Sequence, residues 1–140
     1  SESPARSDGM IPESLYTDEN RIILTFLGGL SCHSDLAARL YEATEHLGDA
    51  LEQCANVQNF GFVVHETQGV IFAAAWGMKE VAFRLDAERM RIALETGGRA
   101  APEIGPEWIA FAPFRADYPA VDLPFWATRA YLFARGEDPS

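Results

Sequence analysis

The chain has 140 residues, of which 48% are hydrophobic and 23% are charged, and its formal net charge is −10. This length and composition are typical of one globular domain, and no apolar run approaches the roughly 20 residues that a membrane span requires. Because nonspecific affinity for nucleic acids comes from cationic patches, the negative charge disfavours DNA or RNA as a partner.

The negative net charge is concentrated in the first half of the chain, where basic residues are few. Residues 1–66 carry 11 of the 21 acidic residues but only 3 of the 11 basic residues. Such a surface favours either solubility alone or contact with a basic protein. The N-terminus shows no basic region followed by an apolar one, so we expect a cytoplasmic protein without a membrane segment.

The first predicted elements are a leader, a strand and a helix. Residues 1–20 are polar, acidic and interrupted by prolines and a glycine, which predicts a mobile leader. The apolar run Arg21–Leu27 is rich in residues that favour β structure and predicts a buried strand, which a pair of glycines ends. Ser34 or Asp35 can cap the helix that follows, in which leucine and alanine recur at steps of three or four residues as far as Leu51.

The middle of the chain predicts a meander of strands. A short turn joins residues 60–65 to residues 70–76, and a second turn leads to a strand at residues 81–85. Strands that are joined by such short turns pair antiparallel, because parallel neighbours need a long crossover.

The remaining elements are predicted as helix, strand and helix, at residues 87–96, 107–112 and 123–134. The order β-α-β-β-β-α-β-α predicts a single α+β domain at residues 21–135, followed by a flexible tail at residues 136–140. Its sheet is expected to be mainly antiparallel, with about five strands and with helices packed on it.

The loop between the first predicted strand and its helix is a candidate site for an anion or small ligand. Helix N-termini present free N–H groups and a positive dipole end, which bind anions and lower the pKa of a thiol. Cys32 could then act as a nucleophile with His65 as its base, although a plain helix cap is the favoured interpretation of the loop. The candidate ligand-binding residues of the loop are Gly28, Gly29, Ser31, His33 and Ser34.

Metal and cofactor sites are not indicated by the sequence. No spacing of histidine and cysteine matches a zinc site, and no nucleotide-binding motif is present. The two cysteines, Cys32 and Cys54, are interpreted as ordinary buried thiols, with a disulfide as the alternative.

Half of the aromatic residues lie between residues 108 and 133, where prolines interrupt them. Aromatic side chains dominate both protein cores and the energetic centres of interfaces. Most of this segment is expected in the core. Phe114, Tyr118 and Trp126 are the residues expected to stay partly exposed and to contact a partner.

The second half of the chain carries a resemblance to a known family. It consists of the run Val81-Ala82-Phe83-Arg84-Leu85, a helix that ends in two glycines, a strand that bears Trp108, and Arg129-Ala130-Tyr131 in the last helix. In these features residues 81–134 resemble the second half of MmcQ/YjbR-like proteins, and a bacterial family labelled "luciferase domain", of unknown function, is similar in its Trp strand and closing helix. The YjbR-like group is often supposed to bind DNA, so the resemblance implies nucleic-acid binding, which the net charge disfavours.

The leading functional hypothesis is a non-catalytic protein-binding module of an accessory, chaperone-like or immunity/inhibitor type. It would use the acidic face and the aromatic-proline segment, and its partner would be another protein of basic character. A homodimer is left open. The first alternative is a small enzyme or ligand-binding domain that uses the loop at residues 28–35, and the second is a nucleic-acid-binding, YjbR-like domain.

Overall fold

The structure is a computed structural model that describes residues 11–28, 30–54, 61–114 and 121–138. These residues form a short 3-10 turn at Glu13–Leu15, four α-helices and six β-strands. The helices are α1 (Arg21–Leu27), α2 (Ser34–Thr44), α3 (Ala87–Glu95) and α4 (Leu123–Ala134). The strands are β1 (Leu51–Cys54), β2 (Val63–Thr67), β3 (Val70–Trp76), β4 (Glu80–Arg84), β5 (Arg99–Ala100) and β6 (Trp108–Phe111).

The strands form one sheet in the order β1-β2-β3-β4-β6-β5, and every neighbouring pair is antiparallel. This confirms the predicted α+β class and its antiparallel sheet, with six strands in the described residues where about five were expected. β1 and β5 were not predicted, because strands of four and two residues are too short to show a periodic pattern. β1 lies at the end of the stretch that the sequence assigned to a long helix, which in fact ends at Thr44.

The sheet separates two hydrophobic clusters. β4 illustrates the division, because Val81 and Phe83 belong to one cluster while Ala82 between them belongs to the other. Helices α2 and α4 cover the first face, and α1 and the preceding turn contribute to the cluster on the second face. Alternate strand residues point to opposite faces, so each strand serves both clusters. α2 packs mainly on β3 and α4, on the inner part of the sheet.

The predicted strand at Arg21–Leu27 is wrong, since these residues form α1. Ile23, Leu24 and Leu27 are buried, whereas Ile22 and Thr25 are exposed, which is the stripe of a helix rather than the alternation of a strand. A continuous apolar run of seven residues is compatible with either a helix or a strand, so tertiary packing decides which of the two forms.

Asn20 provides the packing that fixes the start of α1. Its side-chain amide donates to the carbonyl oxygens of Leu15 at 2.8 Å and Gly69 at 2.9 Å, and its Oδ1 accepts from the Ile71 amide at 3.0 Å. Asn20 is 1% exposed, and all three bonds are therefore shielded from water. The side chain ties the segment before α1 to the β2–β3 hairpin.

Part of the predicted leader belongs to the packed domain. Ile11 and Leu15 are buried in the hydrophobic cluster beneath α1. Asn20 is also buried, and it connects this segment to the β2–β3 hairpin. Residues 1–10 lie outside the described part of the chain. Among the described residues, no helix has both the length and the apolar character to cross a bilayer.

Candidate functional site

The loop that the sequence assigned to a ligand connects two helices rather than a strand and a helix. Gly28 is the residue that ends α1, and Gly29 lies outside the described residues. Ser31 forms an isolated antiparallel bridge to Gly61, and the next residue forms a parallel bridge to Gly77. The backbone polar groups of this loop are therefore used to extend the sheet beyond the ends of β2 and β3.

The cap of α2 also differs from the prediction. The N-cap residue is His33, not Ser34 or Asp35, and its Nδ1 accepts from the Asp35 amide at 3.1 Å. The His33 amide donates to the Gly77 carbonyl oxygen at 2.8 Å, which holds the loop against the sheet. The His33 and Ser34 side chains are exposed, and their role in the described structure is to begin a helix.

Cys32 is placed as a core thiol. It is 3% exposed and its Sγ lies 3.4 Å from the carbonyl oxygen of His33, to which it donates. Burial, together with the nearby Cys54 and the Glu52 carboxylate, raises the pKa of the Cys32 thiol to about 11, against a backbone hydrogen bond from Ala37 that lowers it. Because the thiolate is the reactive form, this environment argues against a nucleophilic Cys32.

His65 contacts a hydroxyl and a carboxylate instead of Cys32. It lies in β2 and is 1% exposed, with its Nδ1 at 3.0 Å from the Thr44 hydroxyl. Its Nε2 faces the Oε2 atom of Glu52, its cross-strand neighbour on β1, at 3.6 Å. The hydrogen bonds described for His65 and for Cys32 go to different partners, so the two catalytic candidates do not form a dyad.

The Thr44 hydroxyl influences which His65 nitrogen carries the proton. Thr44 Oγ1 lies 3.1 Å from the Tyr41 carbonyl oxygen, to which it donates. The direction of the hydrogen bond between Thr44 and His65 Nδ1 depends on the tautomer of His65, so Nε2 faces the Glu52 carboxylate either as an N–H or as a lone pair. Nε2 is buried and has no hydrogen-bond partner among the described residues.

A cleft of about 460 Å³ lies next to this pair, between α2 and the outer strands of the sheet. Its walls are mostly apolar, and its charged groups are the carboxylates of two glutamates. No lysine, arginine or histidine side chain contributes to the lining that the structure describes. The lining residues are Ala37, Ala38, Tyr41 and Glu42 of α2 and Glu52, Cys54 and Val63 of the strands.

β1 forms one wall of the cleft and also the edge of the sheet. In the described part of the chain, β2 is its single neighbour, so the other side of β1 has no strand paired with it. Leu51 at the start of β1 is 56% exposed, and Tyr41 across the cleft is 50% exposed. An edge strand with exposed apolar residues beside it is a common place for another chain to bind.

The opposite face of the same edge is also unusually polar for a buried surface. Gln53 and Glu66 are 5% and 8% exposed, and the Gln53 amide donates to Glu66 Oε2 at 3.4 Å. Gln53 Oε1 has no partner in the part of the chain that the structure describes. β1 is thus polar on both faces, in contrast to the apolar residues of β3 and β6.

The aromatic segment is mainly part of the core, and the exposure expected for Trp126 is wrong. Trp126 is 5% exposed and stacks on Phe111 at a centroid distance of 5.7 Å. Phe114 is 46% exposed, with the Arg39 guanidinium 5.4 Å from its ring centroid. Tyr118 lies outside the described residues.

The described residues contain no group of three or more histidine, cysteine, aspartate or glutamate side chains placed to hold a metal ion. Comparison of the chain with protein-family models, curated proteins and solved structures finds no match. The resemblance of residues 81–134 to MmcQ/YjbR-like proteins therefore stays a prediction.

The cleft was not predicted from the sequence. The sequence pattern assigned the stretch that holds Glu42 and Glu52 to one long helix, whereas the structure puts them on two elements that face each other. The run Leu51-Glu52-Gln53-Cys54 does not alternate between apolar and polar residues, so it gave no signal of a strand.

Proposed function

We propose that this protein is a non-catalytic binding module whose partner is another protein with a basic surface. The observation that carries this proposal is the cleft between α2 and β1, with its apolar walls, its two carboxylates and its position at the sheet edge. Apolar surface supplies the affinity in such interfaces, and charge supplies orientation and partner choice.

The charges around the cleft support a basic partner. Glu42 on α2 and Glu45, the residue that follows this helix, are exposed, and neither has an ion pair among the described residues. Arg39, the basic residue within α2, has its guanidinium over the Phe114 ring. Two copies of this chain would bring like charges together at this surface, so the proposal favours a different protein over a homodimer.

Phe114 provides a second contact region in the proposal. Its exposed ring borders another cleft, of about 490 Å³, together with Met78 and Lys79. Of the residues Phe114, Tyr118 and Trp126 that the sequence assigned to a partner, Phe114 is the one that the structure describes as exposed. We also infer a cytoplasmic setting, which is supported by the buried thiol of Cys32 outside any disulfide.

The test is affinity capture from a lysate of the source organism at low salt, followed by reconstitution of the complex from purified proteins. A variant with Glu42→Gln and Glu45→Gln should weaken the reconstituted complex at least about fivefold and flatten its dependence on salt. The matched control, Glu88→Gln with Glu95→Gln, removes the same charge from exposed positions of α3 and should bind like wild type. Capture of no protein, or a complex that both variants bind equally well, would overturn the proposal.

A further inference from the structure

We propose that the pocket between α3 and the start of α4 binds a small organic monocarboxylate. Arg129 and Arg89 hold the charge of this ligand, and the aromatic side chains of α4 contact its apolar body. The inference goes beyond the proposed function and does not rest on it, because the pocket shares no residue with the cleft between α2 and β1. It combines a guanidinium that is fixed without a carboxylate, a second guanidinium, and apolar walls of limited volume.

The pocket has a volume of about 190 Å³ and is lined by cationic and apolar side chains. Its described lining consists of Arg89 and Ile92 of α3 and Phe125, Trp126 and Arg129 of α4. None of these residues is acidic, although the chain has 21 acidic residues against 11 lysines and arginines. The charge of the lining is thus opposite to that of the whole chain, and it favours an anion.

Arg129 is held in place from within its own helix. Its guanidinium carbon lies 3.6 Å from the centroid of the Phe125 ring, and Nη1 donates to the Phe125 carbonyl oxygen at 3.3 Å. It forms no ion pair within the described part of the chain, whereas Arg91 and Arg99 have glutamates at 3.1 Å and 2.9 Å. Stacking occupies the flat face of a guanidinium and leaves N–H groups at its edge. A donor that is already positioned loses little conformational freedom when a ligand binds.

Arg89 supplies the second cation, from α3. The Asp86 carboxylate is its ion-pair partner, with Oδ2 at 3.5 Å from Nη1 of Arg89. This distance exceeds the roughly 2.7–2.9 Å of a charge-assisted hydrogen bond, so N–H groups of Arg89 stay available to a ligand. Two guanidinium groups that line one pocket repel each other, and a bound anion offsets that repulsion.

The size and the walls of the pocket select the class of anion. Water occupies about 30 Å³ per molecule in the liquid, so the pocket has room for roughly six water volumes. That space accepts a carboxylate with one ring or a short chain, but not a nucleotide. The side chains of Ile92, Phe125 and Trp126 give apolar contact that a hydrated phosphate ion does not use. The planar fork of a guanidinium also matches the two oxygens of a carboxylate.

The experiment titrates benzoate into the purified full chain at low salt and follows binding by ligand-observed NMR and calorimetry. A Kd of about 1 mM or tighter is expected for a ligand of this size. Benzamide has the same ring but no charge, so it should bind at least about tenfold more weakly. Inorganic phosphate has charge but no apolar body, and it should also bind more weakly than benzoate.

Substitutions test the two arginines separately. Arg129→Gln and Arg89→Gln should each weaken benzoate binding at least about fivefold, and Arg129→Lys, which keeps the charge but lacks the planar fork, should fall between Arg129→Gln and wild type. The matched control, Arg91→Gln, removes the same charge from a side chain of α3 that is 58% exposed and outside the pocket, and it should bind benzoate as wild type. Thermal melts check that each variant is folded.

The outcomes decide this inference independently of the proposed function. It is overturned if benzoate does not bind at concentrations up to about 10 mM, if phosphate or benzamide binds as tightly, or if the Arg129→Gln protein binds benzoate as wild type does. The variant with Glu42→Gln and Glu45→Gln should bind benzoate normally, because those residues lie outside the pocket. A protein partner that depends on Glu42 and Glu45 would therefore stand or fail without affecting the carboxylate site.

Discussion

Two carboxylates that are three positions apart in the chain, Asp49 and Glu52, have opposite surroundings. Asp49 Oδ1 accepts from the Tyr131 hydroxyl at 2.7 Å and the Thr67 hydroxyl at 2.8 Å, and Oδ2 accepts from Arg135 at 2.6 Å. Glu52 has the unpartnered Nε2 of His65 at 3.6 Å. The first carboxylate is satisfied within the fold, and the second still requires a donor.

The difference teaches which of the two regions maintains the structure and which is available to a partner. Hydrogen bonds from Tyr131 and Thr67, followed by that from Arg135, lower the pKa of Asp49 to about 2. These contacts fasten the end of α4 to the segment before β1 and to β2. We call Asp49, Thr67, Tyr131 and Arg135 the α4 latch. At the cleft, the corresponding donors would come from another molecule.

The largest expected effect is a difference in thiol reactivity between Cys32, which is buried, and Cys54, which lies in the wall of the cleft. With a pKa of about 11 in place of the ordinary 9.0, Cys32 has about a hundredfold less thiolate at pH 8. In a Cys54→Ser variant, which keeps the burial of Cys32 but removes the contribution of Cys54 to its pKa, iodoacetamide should label Cys32 at least about tenfold more slowly than a free cysteine, as followed by mass spectrometry.

The reverse variant, Cys32→Ser, provides the control for the cleft. Cys54 lines the cleft, so its labelling should be faster than that of Cys32 and should slow in the reconstituted complex with the partner. Rapid labelling of Cys32 at pH 8 would contradict its closed environment and would revive the nucleophile hypothesis.

The next effect is the loss of the latch. Asp49→Asn keeps the shape of the side chain but removes the charge that accepts from Tyr131, Thr67 and Arg135, so we expect the melting temperature at pH 7 to fall by about 5 °C. Circular dichroism melts measure it. Glu137→Gln removes the other, exposed partner of Arg135 and should change the melting temperature by less than about 1 °C. An Asp49→Asn protein as stable as wild type would show that the latch is not a source of stability.

The latch also predicts a dependence on pH with a definite sign. The pKa of Asp49 is lowered by folding from 3.8 to about 2, so its contribution is complete above about pH 4 and is lost as the pH falls toward 2. The melting temperatures of wild type and Asp49→Asn should differ at pH 6 and converge near pH 2. A difference that is constant over this range would contradict the assignment of the effect to the ionised carboxylate.

The smallest effect is expected at the cleft. Glu52→Gln makes the same chemical change as Asp49→Asn, but the new amide can donate to His65 Nε2, so the melting temperature should stay within about 2 °C of wild type or rise. The same melts measure both substitutions. An equal loss of stability in the two variants would remove the distinction between the two regions, because Glu52 would then be a structural residue as well.

Several elements were predictable because their signals are local. The β3–β4 hairpin shows apolar runs on both sides of a turn, and Gly77 in that turn has a φ of 67° that favours glycine. Asp86 begins α3 in an extended conformation, and α4 begins with Asp122 accepting from the Phe125 amide at 3.1 Å, close to the predicted starts. Each of these signals lies within a few residues of the element that it defines.

The candidate site was less predictable because its parts come from distant positions. Glu42 and Glu52 meet across a cleft because α2 ends at Thr44 and the chain returns as β1, neither of which the sequence pattern indicated. The loop at residues 28–35 matched the pattern of an anion site, but its backbone groups are taken up by Gly61 and Gly77. A polar group that looks available in sequence is available only if no distant residue pairs with it.

The sequence by itself determined the α+β class, the antiparallel meander and the last two helices, since hydrophobic period, capping residues and turn residues are properties of short segments. Tertiary structure decided that Arg21–Leu27 is a helix, that Trp126 is buried and that Cys32 is a core thiol. It also decided which of the two carboxylates, Asp49 or Glu52, has its hydrogen-bond donors within the fold. The physical reason is that burial and hydrogen-bond partners depend on contacts such as Asn20 with Ile71 or Asp49 with Tyr131, which join positions far apart in the chain.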